Sequence, residues 1–350
     1  MLNSLFRRFS KDLGIDLGTS NTLVYSKDGG LIVQEPSVVA INSRTDQIVA
    51  VGSDARDMVG KTPPHILAAR PIQKGVISDF EVTEKMLRYF IEKAHTDSFS
   101  LLARPRIVIG APLATTEVER KAIEDVVLSA GGREVFLVEN PMLAAIGAKL
   151  PIADSRGTMI VDIGGGKTEI AVISLTGVVT WKSIPIAGEE LNRNIIQYTR
   201  DMFNLLLGER VAETIKMQIG TALPPEKSFS VPMRGRDLIT GLPKELRVND
   251  GQIREAMSRS ISLIIQNIKA TLEITPPELV SDIYEHGIML TGGSVLLRGL
   301  DTLIAKEAEI PVHLADDPLG CVARGAGALL ENESMLRDLL LPSTSQGGII

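Results

Sequence analysis

A single cysteine, Cys321, among 350 residues leaves no internal disulfide and no thiolate-rich metal site, a usage that fits a reducing compartment. Histidine is scarce too. His65, His95, His286 and His313 never stand at ligand spacing, which argues against structural zinc. No apolar run reaches the roughly 18 residues of a membrane-spanning helix, so no helical crossing is expected. Positive charge is not in excess: 37 Lys and Arg against 43 Asp and Glu give a net charge of −6, the wrong sign for a coat on nucleic acid. Compositional bias is confined to the closing stretch Pro342 to Gly348. The chain as a whole, 44% apolar and 23% charged, has ordinary globular composition. Its length predicts at least two domains with substantial cores.

What is present begins at the first residues. Met1, Leu2, Leu5, Phe6, Phe9 and Leu13 fall at helical spacing, with Arg7, Arg8 and Lys11 beside them. The arginines interrupt what would be the apolar core of a signal peptide, and no small-residue cleavage site follows. Two readings stand: a helix packed on the protein's own body, or an interfacial helix. In the second, favoured here, Leu2, Leu5, Phe6 and Phe9 enter lipid while the cations meet anionic headgroups.

The strongest internal signal is a repeat. Leu13-Gly-Ile-Asp16-Leu-Gly18-Thr-Ser-Asn-Thr-Leu-Val-Tyr25 is echoed by Met159-Ile-Val-Asp162-Ile-Gly164-Gly-Gly-Lys-Thr168-Glu-Ile-Ala-Val-Ile173. Each copy reads as an apolar strand ending in Asp, a Gly-rich turn and a second β-branched strand. A second echo pairs Val138-Glu-Asn-Pro141 to Ala148 with Leu314-Ala-Asp-Asp-Pro318 to Ala328, both opening a helix at Pro and continuing through small residues. Two copies in the same order predict two like-folded α/β halves whose Gly turns face each other across a cleft. Amphipathic periodicity predicts helices over Val82 to Ala94, Glu117 to Ala130, Ile253 to Leu272 and Leu300 to Ala308.

Turns such as Gly18-Thr19-Ser20-Asn21 and Gly164-Gly165-Gly166-Lys167-Thr168 expose backbone N–H groups suited to phosphate oxygens. A lone turn would read equally well as a tight hairpin; two copies favour the phosphate reading. Asp16 and Asp162 beside polyphosphate would be repulsive without a cation between them, which implies Mg²⁺ bound partly through water. Gly166-Lys167-Thr168 is not the end of a P-loop, because its required first Gly falls at Val161. Glu119 sits at a helix start after Thr116. Spacing favours a capping box there, with a water-orienting carboxylate as the alternative. Glu213 and Lys216 share a helix face and suit either a ribose or a surface ion pair. Leu290-Thr-Gly292-Gly293-Ser294-Val295 is a strand entering a Gly turn, where backbone can approach a flat base.

These turns together resemble the actin-like ATPase superfamily. Finer motifs resemble its MreB family of bacterial actin homologues: Asp16 to Tyr25, Glu35-Pro-Ser-Val-Val-Ala40, Arg70-Pro-Ile-Gln-Lys-Gly-Val-Ile-Ser-Asp-Phe80, Val118-Glu-Arg120, Arg234-Gly-Arg-Asp-Leu-Ile-Thr-Gly-Leu-Pro243 and Thr275-Pro-Pro-Glu-Leu-Val280. The resemblance runs from about Leu13 to Leu330. It implies an α/β actin-like fold of two duplicated RNase H-like domains with inserted subdomains around a nucleotide cleft. The implied divisions are a membrane-binding segment at 1–12, a first domain at 13–148 with an insertion at about 31–75, and a second domain at 149–330 with an insertion at about 183–241. The 312–330 helix would return to the hinge, and 331–350 would form a helix and flexible tail.

By matched position, Asp16 and Asp162 become the metal-side carboxylates. Gly18, Thr19, Ser20 and Asn21 with Gly164, Gly165 and Gly166 become the phosphate clasps. Glu213, Thr214, Ile215 and Lys216 with Gly292, Gly293, Ser294 and Val295 become the nucleoside wall. The resemblance also shifts Glu119 toward orienting water, with Thr168 beside the γ-phosphate. The implied cofactors are ATP/ADP and Mg²⁺. The implied activity is slow hydrolysis of ATP to ADP and phosphate, coupled to assembly into filaments on the inner face of the cytoplasmic membrane, where they organise wall synthesis and rod shape. Other copies of the chain, and membrane and elongation proteins such as RodZ, MreC and MreD, are the implied partners; nucleic acid is not. The chain departs from the family's pattern at Lys167, where Thr is usual, at Asn140 for Glu and at Ser294 for Gly. Competing readings are a sugar-kinase-like phosphotransferase and a membrane-docked ATPase that does not polymerise.

Overall fold

The computed structural model describes residues 11–95, 104–225 and 227–342; the segment carrying Leu2, Leu5, Phe6 and Phe9, and residues 343–350, lie outside them. The repeated motif folds as the pattern dictates. Strands β1 (Leu13–Leu17) and β2 (Asn21–Ser26) pair antiparallel with Leu17 opposite Thr22, and β3 (Gly30–Pro36) follows antiparallel. On its other side β1 takes the parallel strand β4 (Arg106–Ala111), and β5 (Glu134–Glu139) lies outside that. The second copy repeats every step with β6 (Thr158–Ile163), β7 (Thr168–Ser174), β8 (Gly177–Ile184), β9 (Ile288–Thr291) and β10 (Val312–Leu314). The two sheets therefore share one strand order, β5-β4-β1-β2-β3 and β10-β9-β6-β7-β8. Their central strands are near-continuous apolar runs because helices cover both faces.

Caps, rather than apolar periodicity, set where the helices begin. Helix α1 (Phe80–Ala94) starts two residues before the periodic run, where Asp79 Oδ1 accepts from Val82 N at 3.0 Å. Helix α2 (Glu117–Ser129) begins at the expected Thr116 capping box. Two short helices of the repeat, α3 (Asn140–Gly147) and, much later, α7 (Cys321–Glu331), lie between the two sheets. Helices α4 (Gly188–Phe203), α5 (Glu209–Ile219) and α6 (Asp250–Glu273) cover the second sheet. A capping box between Asn249 and Gln252 fixes the start of α6.

The core is in three main parts. One lies in each half and the third, with Val108, Leu143, Ile160, Ala171, Cys321 and Ala326, joins the sheets through α3 and α7. The joint needs small residues: a Cβ on Gly147 would strike the Cys321 carbonyl, and one on Gly325 the Leu143 carbonyl. Each half carries a small extra sheet. In the first half its strands are Val39–Asn42, Gln47–Val51 and Ile66–Ala69. In the second they are Leu205–Leu206, Ser230–Asp237 and Pro243–Asn249. The latter sheet runs past the expected limit near residue 241, because Gly241, at φ 76°, is the tip of a hairpin and not its exit. Asp237 Oδ1 builds that turn by accepting from Ile239 N and Thr240 N.

Candidate functional site

Both Gly-rich turns open into one cleft of about 510 Å³ between the halves. They meet face to face. A Cβ on Gly165 would collide with Ser20 Oγ, and one on Gly166 with Thr19 Oγ1, so the second turn must be glycine for the first to come this close. Gly18 to Asn21 and Gly164 to Gly166 all line the cleft. The first turn is held from outside by Ser37, whose hydroxyl donates to Gly18 O at 2.6 Å. The second rests on the N-terminus of α4, where Gly188 N and Glu189 N donate to the carbonyls of Gly164 and Gly165 at 3.2 and 2.8 Å. Those bonds occupy the carbonyls of Gly164 and Gly165, while Gly164 N donates within the turn to Lys167 O at 3.0 Å. Thr19 Oγ1 accepts from Gly75 N at 2.8 Å, tying the clasp to the hairpin Ile72–Gln73/Val76–Ile77.

Asp16 and Asp162 end their strands on the cleft wall, and Glu169, opposite Asp162 in the β6–β7 register, joins them. Burial, and then the charges of Asp162 and Glu169, push Asp16 up to about 8. Burial likewise raises Asp162 to about 6, against the Thr291 hydroxyl that donates to its Oδ1 at 3.0 Å. Glu169 is raised by burial to about 7, opposed by the Leu113 N–H donating at 2.7 Å and the Asn140 amide at 3.2 Å. Burial is the main cause in all three, with the Asp162 charge adding to it for Asp16 and Glu169, and buried carboxylates that resist ionisation suit a cation among phosphates. Among the described residues no three His, Cys, Asp or Glu converge as a metal cage, so such an ion would keep water and ligand oxygens in its shell.

The nucleoside wall is only half as expected. Glu213 and Lys216, three apart on α5, face the cleft with Gly292, Gly293 and Ser294. Lys216 Nζ donates to Gly188 O at 2.8 Å, and burial lowers its pKa to about 8. Thr214 and Ile215 do not join them: the helical turn points both into a separate cavity beside the Val59–Lys61 segment. There the Thr214 hydroxyl donates back to Arg210 O at 2.8 Å, and Ile215 packs in the core. Val295 is also core. Ser294 lines the cleft, but its hydroxyl donates to Gly164 O at 2.6 Å, bracing a clasp.

The expected water-orienting pair, of which Glu119 could be a cap as well, stands apart from the cleft lining in this structure. Glu119 closes its capping box, with Oε2 accepting from Thr116 N at 2.8 Å and Thr116 Oγ1 at 3.0 Å, and does not line the cleft. Thr168 is fully buried and donates to Ile186 O at 2.6 Å. Periodicity explains it: Thr168 and Glu169 alternate along β7, so one of them alone can face the cleft. Glu169 had no site role in the sequence reading, although the pairing of the repeated hairpin places it opposite Asp162, and Asn140 stood there only as a departure from the family's pattern. Arg70, which opens the Arg70-to-Phe80 motif, had no site role in the sequence reading. Its guanidinium crosses the cleft to Glu189 at 2.8 Å and Glu209 at 3.3 Å.

Comparison with known proteins identifies the family. A family model described as MreB/Mbl protein matches residues 10–338. The cell shape-determining protein MreB of Escherichia coli strain K12 is 49% identical over 335 residues, 95% of this chain and 96% of that one. The cell shape-determining protein Mbl of Bacillus cereus is 48% identical over 324 residues, 93% and 97% of the two chains. The crystal structure of MreB5 of Spiroplasma citri bound to ADP, 33% identical, has a TM-score of 0.88 over 94% of this chain and 98% of its own, and the form bound to AMPPNP gives the same values. With a duplicated α/β body, an actin-like fold and a match along nearly its whole length, the chain belongs to the MreB/Mbl family of cell shape-determining proteins.

Proposed function

We propose that the chain binds ATP with Mg²⁺ between its halves, hydrolyses it slowly, and assembles with copies of itself into filaments on the inner face of the cytoplasmic membrane. There the filaments organise wall synthesis and rod shape. The observation that carries this reading is the pair of Gly turns meeting face to face beside Asp16 and Asp162. The nucleotide-bound MreB5 structures support it.

In this reading the N–H groups of Gly18 to Asn21 and of Gly165 and Gly166 hold phosphate oxygens from opposite sides, with Gly164 N–H closing the second turn on Lys167 O, so a triphosphate draws the halves together. Asp16 and Asp162 hold Mg²⁺, which when bound neutralises charge on the phosphates. Glu213 and Lys216 flank the nucleoside. Hydrolysis is slow because Glu119 and Thr168 are committed elsewhere and both Glu169 oxygens already accept hydrogen bonds. Losing the γ-phosphate then loosens one clasp and shifts subunits away from the closed, assembling form. Leu2, Leu5, Phe6 and Phe9 are the lipid-facing side chains of this proposal, and RodZ, MreC and MreD its membrane partners.

Pelleting of the full chain and of one lacking residues 1–9 tests it, with ATP·Mg²⁺ or ADP and with or without anionic liposomes. The expected result is nucleotide-dependent polymer that coats liposomes only when the N-terminus is present. Protein that hydrolyses ATP yet stays monomeric throughout removes the filament from the proposal.

A further inference from the structure

The second clasp ends in a lysine whose position the structure defines. Lys167 lines the cleft directly after Gly166, and its backbone carbonyl closes the turn by accepting from Gly164 N at 3.0 Å. Its stem reaches the opposite half: a Cβ on Gly75 would stand 3.0 Å from Lys167 Cδ and 3.5 Å from Pro112 Cγ. Gly75 is the residue whose N–H engages Thr19 of the first clasp. The side chain is thus seated across the mouth of the two turns and does not trail into solvent.

Three other cations along the cleft have partners. Arg70 is bound to Glu189 and Glu209, Lys216 to the Gly188 carbonyl, and Arg298 to the carbonyls of Ile219 and Gly220. Arg56, on the helix Ser53–Met58, belongs to neither clasp. Among the described residues the Lys167 amine makes no hydrogen bond or ion pair, and its charge reaches Glu169 on the same wall. A positive charge on a seated stem beside the two facing Gly turns is the equipment for a phosphate that carries more charge than its neighbours.

We propose that Lys167 contacts the terminal phosphate of a nucleoside triphosphate and makes the cleft select triphosphate over diphosphate. The proposal rests on the nucleotide reading above and gives it a specificity residue. A diphosphate leaves the amine without its anion, so ADP gains little from it. The cation also bridges to the Gly75 turn, so a bound triphosphate fastens the halves at this point.

The test is calorimetric titration of the full chain with AMPPNP·Mg²⁺ and ADP·Mg²⁺, for the wild type, Lys167→Met and Lys167→Arg. Met keeps the stem and its packing on Gly75 while removing the charge. The expected result is that Lys167→Met weakens AMPPNP about tenfold and ADP less than about threefold, with Lys167→Arg recovering most of the preference. Thermal midpoints of the nucleotide-free proteins that agree show the variants are folded. An unchanged AMPPNP-to-ADP ratio in a folded Lys167→Met protein overturns the role of Lys167 and leaves nucleotide binding intact. A wild type that binds neither nucleotide overturns both readings.

Discussion

At the scale of single residues the cleft is governed by what glycine permits and what carboxylates resist. Replacing Gly165 by Ala drives a methyl group into Ser20 and separates the clasps, so nucleotide affinity falls by about tenfold or more while the fold persists; titration with a fluorescent ATP analogue measures it. The raised carboxylates have a definite sign. Asp16, Asp162 and Glu169 hold protons in the folded, nucleotide-free protein that the unfolded chain has released, so their contribution to stability is complete below about pH 4. It is lost as pH rises through about 6, 7 and 8 for Asp162, Glu169 and Asp16. The thermal midpoint of nucleotide-free protein is therefore lower at pH 8 than at pH 6. Nucleotide with Mg²⁺ favours the ionised aspartates, and its binding at pH 7 releases protons, which calorimetry in buffers of different ionisation enthalpy detects.

Elements carry a different kind of constraint. The start of α2 is fixed by the reciprocal bonds of Thr116 and Glu119, so Thr116→Ala costs about 1 kcal/mol in urea unfolding. Glu119→Gln keeps an acceptor in the same place and leaves ATP turnover within about twofold of wild type, since a cap tolerates the amide where a water-activating carboxylate does not. A large drop in turnover at intact stability would return Glu119 to the chemistry. The contact of α3 with α7 is tighter. Gly325→Ala pushes a methyl group onto the Leu143 carbonyl and destabilises the joint by about 1–3 kcal/mol, read from the shift in unfolding midpoint.

For the whole molecule, closure is decided by contacts that span the halves. Arg70 bridges to Glu189 and Glu209, and Arg210 to Asp57 at 2.9 Å. These pairs are partly exposed, and each is worth at most about 1 kcal/mol, so Arg70→Ala, which removes two, speeds release of bound nucleotide by up to about thirtyfold, an effect that high salt reproduces in the wild type. By itself the sequence determined the duplication, the paired Gly turns that follow Asp16 and Asp162, and the helices with strong periodicity, because each is written in short-range spacing that packing had no cause to override. It also placed Glu213 and Lys216 on one helix face. Tertiary structure alone decided which neighbours of those residues reach the cleft. Glu169, and not Thr168, faces the cleft through strand alternation, and Thr214 and Ile215 turn away with the pitch of α5, whereas the Glu119 cap was already legible in its spacing from Thr116. Tertiary structure also brought Arg70 against Glu189 and Lys167 against Gly75, across a distance in sequence that no local pattern records. Side-chain direction depends on which face of an element is covered, and only the docking of the two halves settles that.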